Sequence, residues 1–501
     1  MFELLAANPV AIGRVDVLLV VVYLAATTAL GIWLGRGQKN NRDYFLAGHR
    51  LPTWALLLSI VATETSTVTF LSVPGKSYVQ GGDFTFLQIA FGYILGRFAI
   101  IIFLLPAYFR GEMLSAYHVL ENRFGLTTRR TASLVFLVTR NLSDGLRLYL
   151  SALALDIALG GGFVECVIVM TVITAIYACA GGVRSVVWND CVQFVVYMAG
   201  AIATVWIIVH GLSGGWSQLI EFGQHTHRWR LFDFDPSLTK GDVTFWSGLI
   251  GGAFLSLATH GVDQMIVQRY LCARNRKSAS WALGLSGFVV LAQFALFLLI
   301  GAALACYYSL PNAGTVPAVG DKAFMRFVID HMGVGFRGLI LAAVLAATMS
   351  NLSASFNSSA SSFMSDWLNR WLAHADDRKS LRMARLLTVV SALIHAAVAI
   401  AAYELGRWGL KMTIVDTVLS IAGFAIGLLL GLYALGLISR RVSERTALIA
   451  FIIGVVVTCG VVFGTPISGW WYTLVGSSVI VVVGLILSAI FDPPVSHGVQ
   501  L

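Results

Sequence analysis

Apolar stretches of about twenty residues recur from one end of the chain to the other, separated by short segments that carry most of the basic residues. A stretch of that length and apolarity reads as one membrane-spanning helix. The spans fall near 15–35, 52–75, 84–107, 131–157, 163–182, 189–211, 244–269, 282–308, 336–361, 384–404, 412–437, 446–465 and 470–491. The expectation is an all-α membrane protein of roughly thirteen transmembrane helices. Composition agrees: 57% of residues are hydrophobic and 12% charged, against about 25% charged in soluble chains. The 49 glycines and 10 prolines suit closely packed membrane helices. The six cysteines have no metal-ligand spacing and read as packing residues.

A formal charge of +9 does not mark a nucleic-acid surface here, because the bases sit between spans instead of forming a stripe. They read as an orientation signal. Arg36, Lys39, Arg42 and Arg50, then Arg110, Arg123, Arg129 and Arg130, then Arg274, Arg276 and Lys277 fall on one side. Arg370, Arg378, Lys379, Arg382, Arg385, Arg440, Arg441 and Arg445 fall on the same side. The positive-inside rule then puts the N-terminus outside and the C-terminus in the cytoplasm of a multi-pass protein of the cell membrane. No appendage outside the spans is long enough for a soluble domain, so residues 1–501 read as a single membrane domain with the lipid bilayer as its surroundings. No obligatory protein partner is evident.

Polar groups in a span normally face a cavity or the bundle interior. The second span reads Ser59-Ile-Val-Ala-Thr-Glu-Thr-Ser-Thr-Val-Thr69, with seven polar residues in eleven. An unwound helix needs such residues, since free carbonyls can hold a cation while hydroxyls satisfy the remaining backbone; a buried Ser/Thr seam is the alternative. The seventh span, with Thr259-His-Gly-Val-Asp-Gln264, is interrupted in a similar way. Two broken helices five spans apart are what an inverted repeat produces, with a binding site at the midplane. In the ninth span Ser350, Ser353 and Asn357 share one face beside Asn351, and a hard cation such as Na⁺ favours such oxygen ligands. Small-residue helix packing explains that segment equally well. In the fourth span Arg140, Ser143, Asp144 and Arg147 face one way, either as a self-neutralising cluster or as a substrate clamp.

These residues lie within a longer pattern. Asp43-Tyr-Phe-Leu-Ala-Gly48, Ser115-Ala-Tyr-His-Val-Leu-Glu-Asn-Arg-Phe-Gly125, and Gly181-Gly-Val-Arg-Ser-Val-Val-Trp-Asn-Asp190 with Gln193 follow in order. Then come Asp263-Gln264 with Val267-Gln-Arg-Tyr270, the serine-rich ninth span, and Gly427 to Gly431. Over nearly its full length the chain resembles the sodium:solute symporter family. The resemblance implies a LeuT-type core of ten helices in two inverted five-helix repeats, over about 52–211 and 244–437, with flanking helices. It implies sodium-coupled symport of a small polar organic solute (a sugar, sugar acid, amino acid or carboxylate) into the cell by alternating access, with Na⁺ as the co-transported ion. A transporter-like solute sensor without net flux is the alternative. An enzyme is not expected, because no nucleophile elbow, metal set or phosphate loop stands out.

Carried over position by position, the main sodium site takes carbonyls of Ala62, Thr65 and Ala347 and side-chain oxygens of Ser350 and Asn351, where many relatives have a hydroxyl in place of Asn351. A second site would use Asp190, Ser350 and Ser353, but Ala354 lacks the hydroxyl that completes it, so one Na⁺ per solute is expected. The expected solute lining is Glu64, Ser66, Thr69, Phe86, Gln88, Arg140, Ser143, Arg147 and His260, with Arg140 or Arg147 as the neighbours of Glu64. A sialic-acid transporter of the family has an arginine where this chain has Ser143 and a threonine where it has Glu64.

Overall fold

The structure is a computed structural model that describes residues 13–111, 113–159, 162–311, 316–317, 320–368, 376–407 and 413–492. Arg370 of the basic set and the first residue of the expected 412–437 span lie outside them. The described residues form helices and no strand; one isolated bridge joins Leu51 to Ala273.

The helices follow the apolar stretches. They are α1 (Arg14–Leu34), the pair α2 (Thr53–Glu64) and α3 (Thr67–Tyr78), α4 (Gln88–Ala99), α5 (Leu126–Leu159) and α6 (Phe163–Gly211). The pair α7 (Gly252–Gly261) and α8 (Gln264–Leu271) follows, then α9 (Arg276–Tyr308), α10 (Phe336–Phe363) and α11 (Asp377–Arg407). The last are α12 (Thr413–Ile438), α13 (Glu444–Gly464) and α14 (Tyr472–Phe491). By length and apolarity, eight helices among the described residues qualify as membrane crossings, or nine if the bent α2/α3 pair is one crossing. The expected count of thirteen is not established by that criterion. Polarity removes α5, which carries Arg140, Asp144 and Arg147, and length removes the halves of α7/α8.

α6 spans two of the expected segments. Its 49 residues would extend about 73 Å if straight, more than twice a hydrocarbon core. The break comes at Gly182, whose backbone (φ 51°, ψ −151°) suits glycine alone. A Cβ there would also stand 2.3 Å from the carbonyl oxygen of Tyr44. Tyr44 in turn bonds Thr388 Oγ1 at 3.0 Å, so the corner of α6 is pinned against the segment before α2 and against α11.

α10 runs through the middle of the bundle, with every residue from Ile340 to Ser362 buried. Its length of small residues lets neighbouring backbones approach, and its hydroxyls find partners on α5 (Ser133, Asn141), α6 (Asp190) and α11 (His395). α1, α11, α13 and α14 form the outside, where Val21, Leu393, Ile452 and Ile490 present apolar side chains outward as lipid requires. The core thus encloses a polar axis, and that axis is where the two broken pairs meet.

Gly182→Ala is expected to lower the thermal unfolding midpoint of the purified protein markedly, since strained backbone and overlap each cost on the order of 1–3 kcal/mol. A midpoint within a degree of the parent's would show that the corner relaxes freely.

Candidate functional site

α2 ends at Glu64 and α3 restarts at Thr67, with the two halves at 65° to each other. Thr65 (φ −83°, ψ 101°) and Ser66 (φ −88°, ψ 165°) are extended. A break inside a membrane must satisfy its own backbone, and neighbouring side chains do so here. Ser66 Oγ accepts the Thr69 amide at 3.3 Å and caps α3. Thr65 Oγ1 donates to the Val61 carbonyl at 2.9 Å and accepts Gln293 Nε2 from α9 at 2.7 Å. Asn351 on α10 donates its Nδ2 to the Thr63 carbonyl at 3.2 Å, while its buried Oδ1 has no partner among the described residues.

The α7/α8 pair breaks at Val262 and Asp263. Asp263 caps α8 by accepting the Met265 amide at 2.9 Å and pairs with Arg140 of α5. The expected interruption near 259–264 is therefore present.

Between the two breaks lies a cavity of about 390 Å³. Glu64, Ser66, Thr69, Arg140, Ser143, Arg147 and His260 of the expected lining border it. Thr63, Tyr93, Thr139, Thr259, Asp263 and Asn351 add polar groups outside the expected solute lining, and Phe136, Leu255, Met265, Ile266 and Leu429 supply an apolar wall. Phe86 and Gln88 do not line it. Phe86 packs on Phe294 and Trp470 and borders a separate cavity with Asp233 and Lys240. Gln88 is fully buried and staples a loop, donating to the carbonyls of Thr85 (2.9 Å) and Val243 (3.2 Å) and accepting the Asp233 amide (3.1 Å). It sits at the entry of α4, where backbone ends need partners, and has no side-chain atom left for solute.

The partners of Glu64 also differ from expectation. Its Oε2 is held by Arg97 of α4, and His260 Nε2 lies 3.0 Å from Arg97 Nη2 and 3.3 Å from Glu64 Oε2. Arg97 is fully buried. The sequence signal for it was a lone arginine in the apolar run Gly92-Tyr-Ile-Leu-Gly-Arg-Phe-Ala99, with no acid a turn away. Such a residue needs a distant carboxylate, and Glu64 supplies it.

On α5 the cluster is a chain of alternating charge. Arg147 Nη1 bonds Asp144 Oδ1 at 2.8 Å, Asp144 lies 3.4 Å from Arg140, and Arg140 binds Asp263. Three arginines (97, 140 and 147) and three acids (64, 144 and 263) therefore cancel around the cavity. Arg147 has the most open side chain of the six, 35% exposed, followed by Glu64 at 15%. Those two groups face whatever enters.

Behind Asn351 lie the residues expected to hold sodium. Ala62, Ala347 and Ser350 are fully buried, and Thr65 and Asn351 nearly so. Ser350 Oγ donates to Asp190 Oδ1 at 2.7 Å. Asp190 Oδ2 accepts Ser59 Oγ at 2.5 Å and Thr63 Oγ1 at 3.4 Å. Ser353 turns back to the Ser350 carbonyl at 3.1 Å and makes no hydrogen bond to Asp190. The broken pair, α10 and the middle of α6 are thus brought together at one buried carboxylate, and Asn351 stands both there and in the cavity wall.

Comparison with known proteins adds identity to this geometry. The model of the sodium:solute symporter family matches residues 44–454. The sodium/sialic acid symporter NanT of Aliivibrio fischeri is 30% identical over 485 residues, 96% of this chain and 94% of that one. Mouse sodium-coupled monocarboxylate transporter 2 is 27% identical over 86% of this chain and 68% of that one. A solved Na⁺-coupled sialic acid symporter, in a substrate-bound outward-open state, superposes with a TM-score of 0.86 at 28% identity, covering 97% of this chain and 99% of that one. These are membrane transporters and not enzymes, and Na⁺ is their co-transported ion. The all-helical bundle, its two broken pairs and the match along most of its length make the chain a member of the sodium:solute symporter family.

Proposed function

We propose that this chain imports a small organic anion, a sugar acid or another hydroxylated carboxylate, together with Na⁺ by alternating access. The reading places thirteen crossings in one membrane domain, with the N-terminus outside, the C-terminus in the cytoplasm, and the five-helix repeats over 52–211 and 244–437. The observation that carries the solute class is the charge pattern of the cavity. Its fixed charges cancel, so a bound Na⁺ leaves one positive charge near the midplane, and a monoanion restores neutrality where uncompensated charge is costly. Arg147, open to the cavity, offers the anion a guanidinium fork. Glu64 has Oε2 occupied by Arg97 and His260, which leaves Oε1 to accept from a hydroxyl. The names of relatives are consistent with this, since sialic acid and monocarboxylates are both organic acids. Sialic acid itself is not assigned: this chain has Ser143 where the resembling transporter has its arginine.

Sodium is proposed to sit at Ala62, Thr65, Ala347, Ser350 and Asn351. The unpartnered Oδ1 of Asn351 supports this, as does the Ala62 carbonyl, which receives no backbone bond across the break among the described residues. Ser350 gives its one proton to Asp190 and keeps lone pairs for a cation. Asp190 with Ser353 as a second sodium site has no such support, because Ser353 is engaged with its own helix. Bound there, Na⁺ bridges the broken helix to α10 and favours the conformation that accepts solute.

Uptake into proteoliposomes, driven by an inward sodium gradient, tests the class directly: accumulation above equilibrium supports symport, and binding without flux supports the sensor reading. Ser350→Ala is expected to raise the sodium concentration for half-maximal uptake several-fold, and unchanged sodium dependence would remove the site from α10. Arg147→Gln should weaken affinity for the anion by about 10- to 100-fold, the loss of one charge-assisted bond. Glu64→Gln should weaken hydroxylated acids and spare simple ones. If Arg147→Gln binds anions as the parent does, the anion contact lies elsewhere.

A further inference from the structure

Every residue of α8 is buried, and Arg269 within it is fully enclosed. Among the described residues, none of the three nitrogens of its guanidinium has a hydrogen-bond partner. Among the described residues the carboxylate in ion-pair reach is Asp190, with Arg269 Nη2 at 3.7 Å from its Oδ2. That separation is too long for a hydrogen bond and close enough for strong attraction where water is excluded. A buried guanidinium held by charge alone, with its donors unmet, has an obvious lower-energy move: a shift of under 1 Å onto Asp190 would give it bonds.

Asp190 has a second claimant. It accepts the hydroxyl of Ser350, one of the proposed sodium ligands, and Ser59 and Thr63 of the broken pair also donate to it. Sodium and Arg269 therefore depend on the same negative charge, and like charges that share one counter-ion repel.

We propose that Arg269 is the resident counter-cation of Asp190, which holds the carboxylate when sodium is absent and is pushed off it when sodium binds. This rests on the sodium site placed at Ser350. Arg269 is a positioning residue in this scheme, acting on sodium through Asp190. It gives sodium release a compensating charge already in place, so the departing ion leaves no bare buried carboxylate behind. It also gives the ion a handle on α8. The far end of that helix is Asp263, which holds Arg140 in the cavity wall. Along its length Gln264 Oε1 accepts the Ala116 amide at 2.7 Å, and Gln268 Nε2 bonds Asn357 of α10 at 2.9 Å. A displacement of Arg269 is thus felt by the helix that borders both solute and α10.

The test is a sodium titration of purified protein without solute, read as thermal stabilisation in choline-replaced buffer. Arg269→Gln removes the competing cation, so the half-stabilising sodium concentration should fall about tenfold, the scale of removing one nearby unit charge. Arg269→Lys keeps the charge and should stay near the parent. The double variant Asp190→Asn with Arg269→Gln loses the carboxylate as well and should bind sodium more weakly than the parent. A folded Arg269→Gln protein with unchanged or weakened sodium binding overturns the proposal. Should that variant not fold, hydrogen exchange on the unaltered protein decides: sodium should change the protection of the 264–271 amides, and no change at saturating sodium overturns it. No sodium response at all in the unaltered protein would remove the sodium site and this inference together, whereas a response that Arg269→Gln leaves untouched removes the inference alone.

Discussion

A helix cannot simply stop inside a bilayer, because every backbone group it frees must find a partner or an ion. The rest of this structure is arranged around that constraint at Thr65 and Ser66. Gln293 reaches in from α9, Asn351 from α10, and Ser66 folds back on its own chain. The groups that repair the break are consequently the groups that surround a buried polar axis. One side of that axis ends at Asp190 and the other opens into the cavity at Glu64. A residue such as Asn351, with its amide on the break and its oxygen unpaired, belongs to both sides at once. If ion and solute bind on opposite faces of this one unwound segment, as proposed, they are coupled, because neither can be occupied without fixing that segment.

The charges around the cavity serve geometry more than stability. Buried ion pairs return little net energy after desolvation, yet breaking one leaves a costly unpaired charge. Arg140 joined to Asp263 fixes α5 against the α7/α8 break, and Arg97 joined to Glu64 fixes α4 against the α2/α3 break. His260, between Arg97 and Glu64, ties the second break to the first. The cavity therefore keeps its shape and its electrical balance when empty. Arg147, anchored at only one end of the charge chain, keeps the freedom to turn toward a ligand.

Much of this was legible in the amino-acid order. The polar run from Ser59 to Thr69 and the serine-rich stretch of α10 stand out because lipid tolerates so few such groups, and both form the polar axis. Most helix positions were also plain, since apolar length is a one-dimensional signal, although the polar α5 does not meet it. Pairing across the bundle was not. The local spacing rule finds Arg140 with Asp144 at a loose 3.4 Å, but the tighter partner of Arg140 is Asp263, 123 residues away. Arg97 was missed for the same reason, its acid lying 33 residues back across a turn. Gln88 and Phe86 were misplaced because a polar and an aromatic residue at a span entry look alike whether they cap a loop or line a cavity. Which of these a residue does depends on the crossing of helices, and no periodicity carries that angle.

Sodium and solute that share the unwound segment, as proposed, also share a coupling free energy. Linkage requires the two to tighten each other by one and the same factor. The direct measurement is calorimetric or fluorescence titration of the purified protein, with solute affinity determined at zero and saturating sodium and sodium affinity determined without and with saturating solute. Both ratios should agree and lie near 10-fold or above, within the usual range of such couplings. Solute binding that is indifferent to sodium, with sodium binding indifferent to solute, would contradict it.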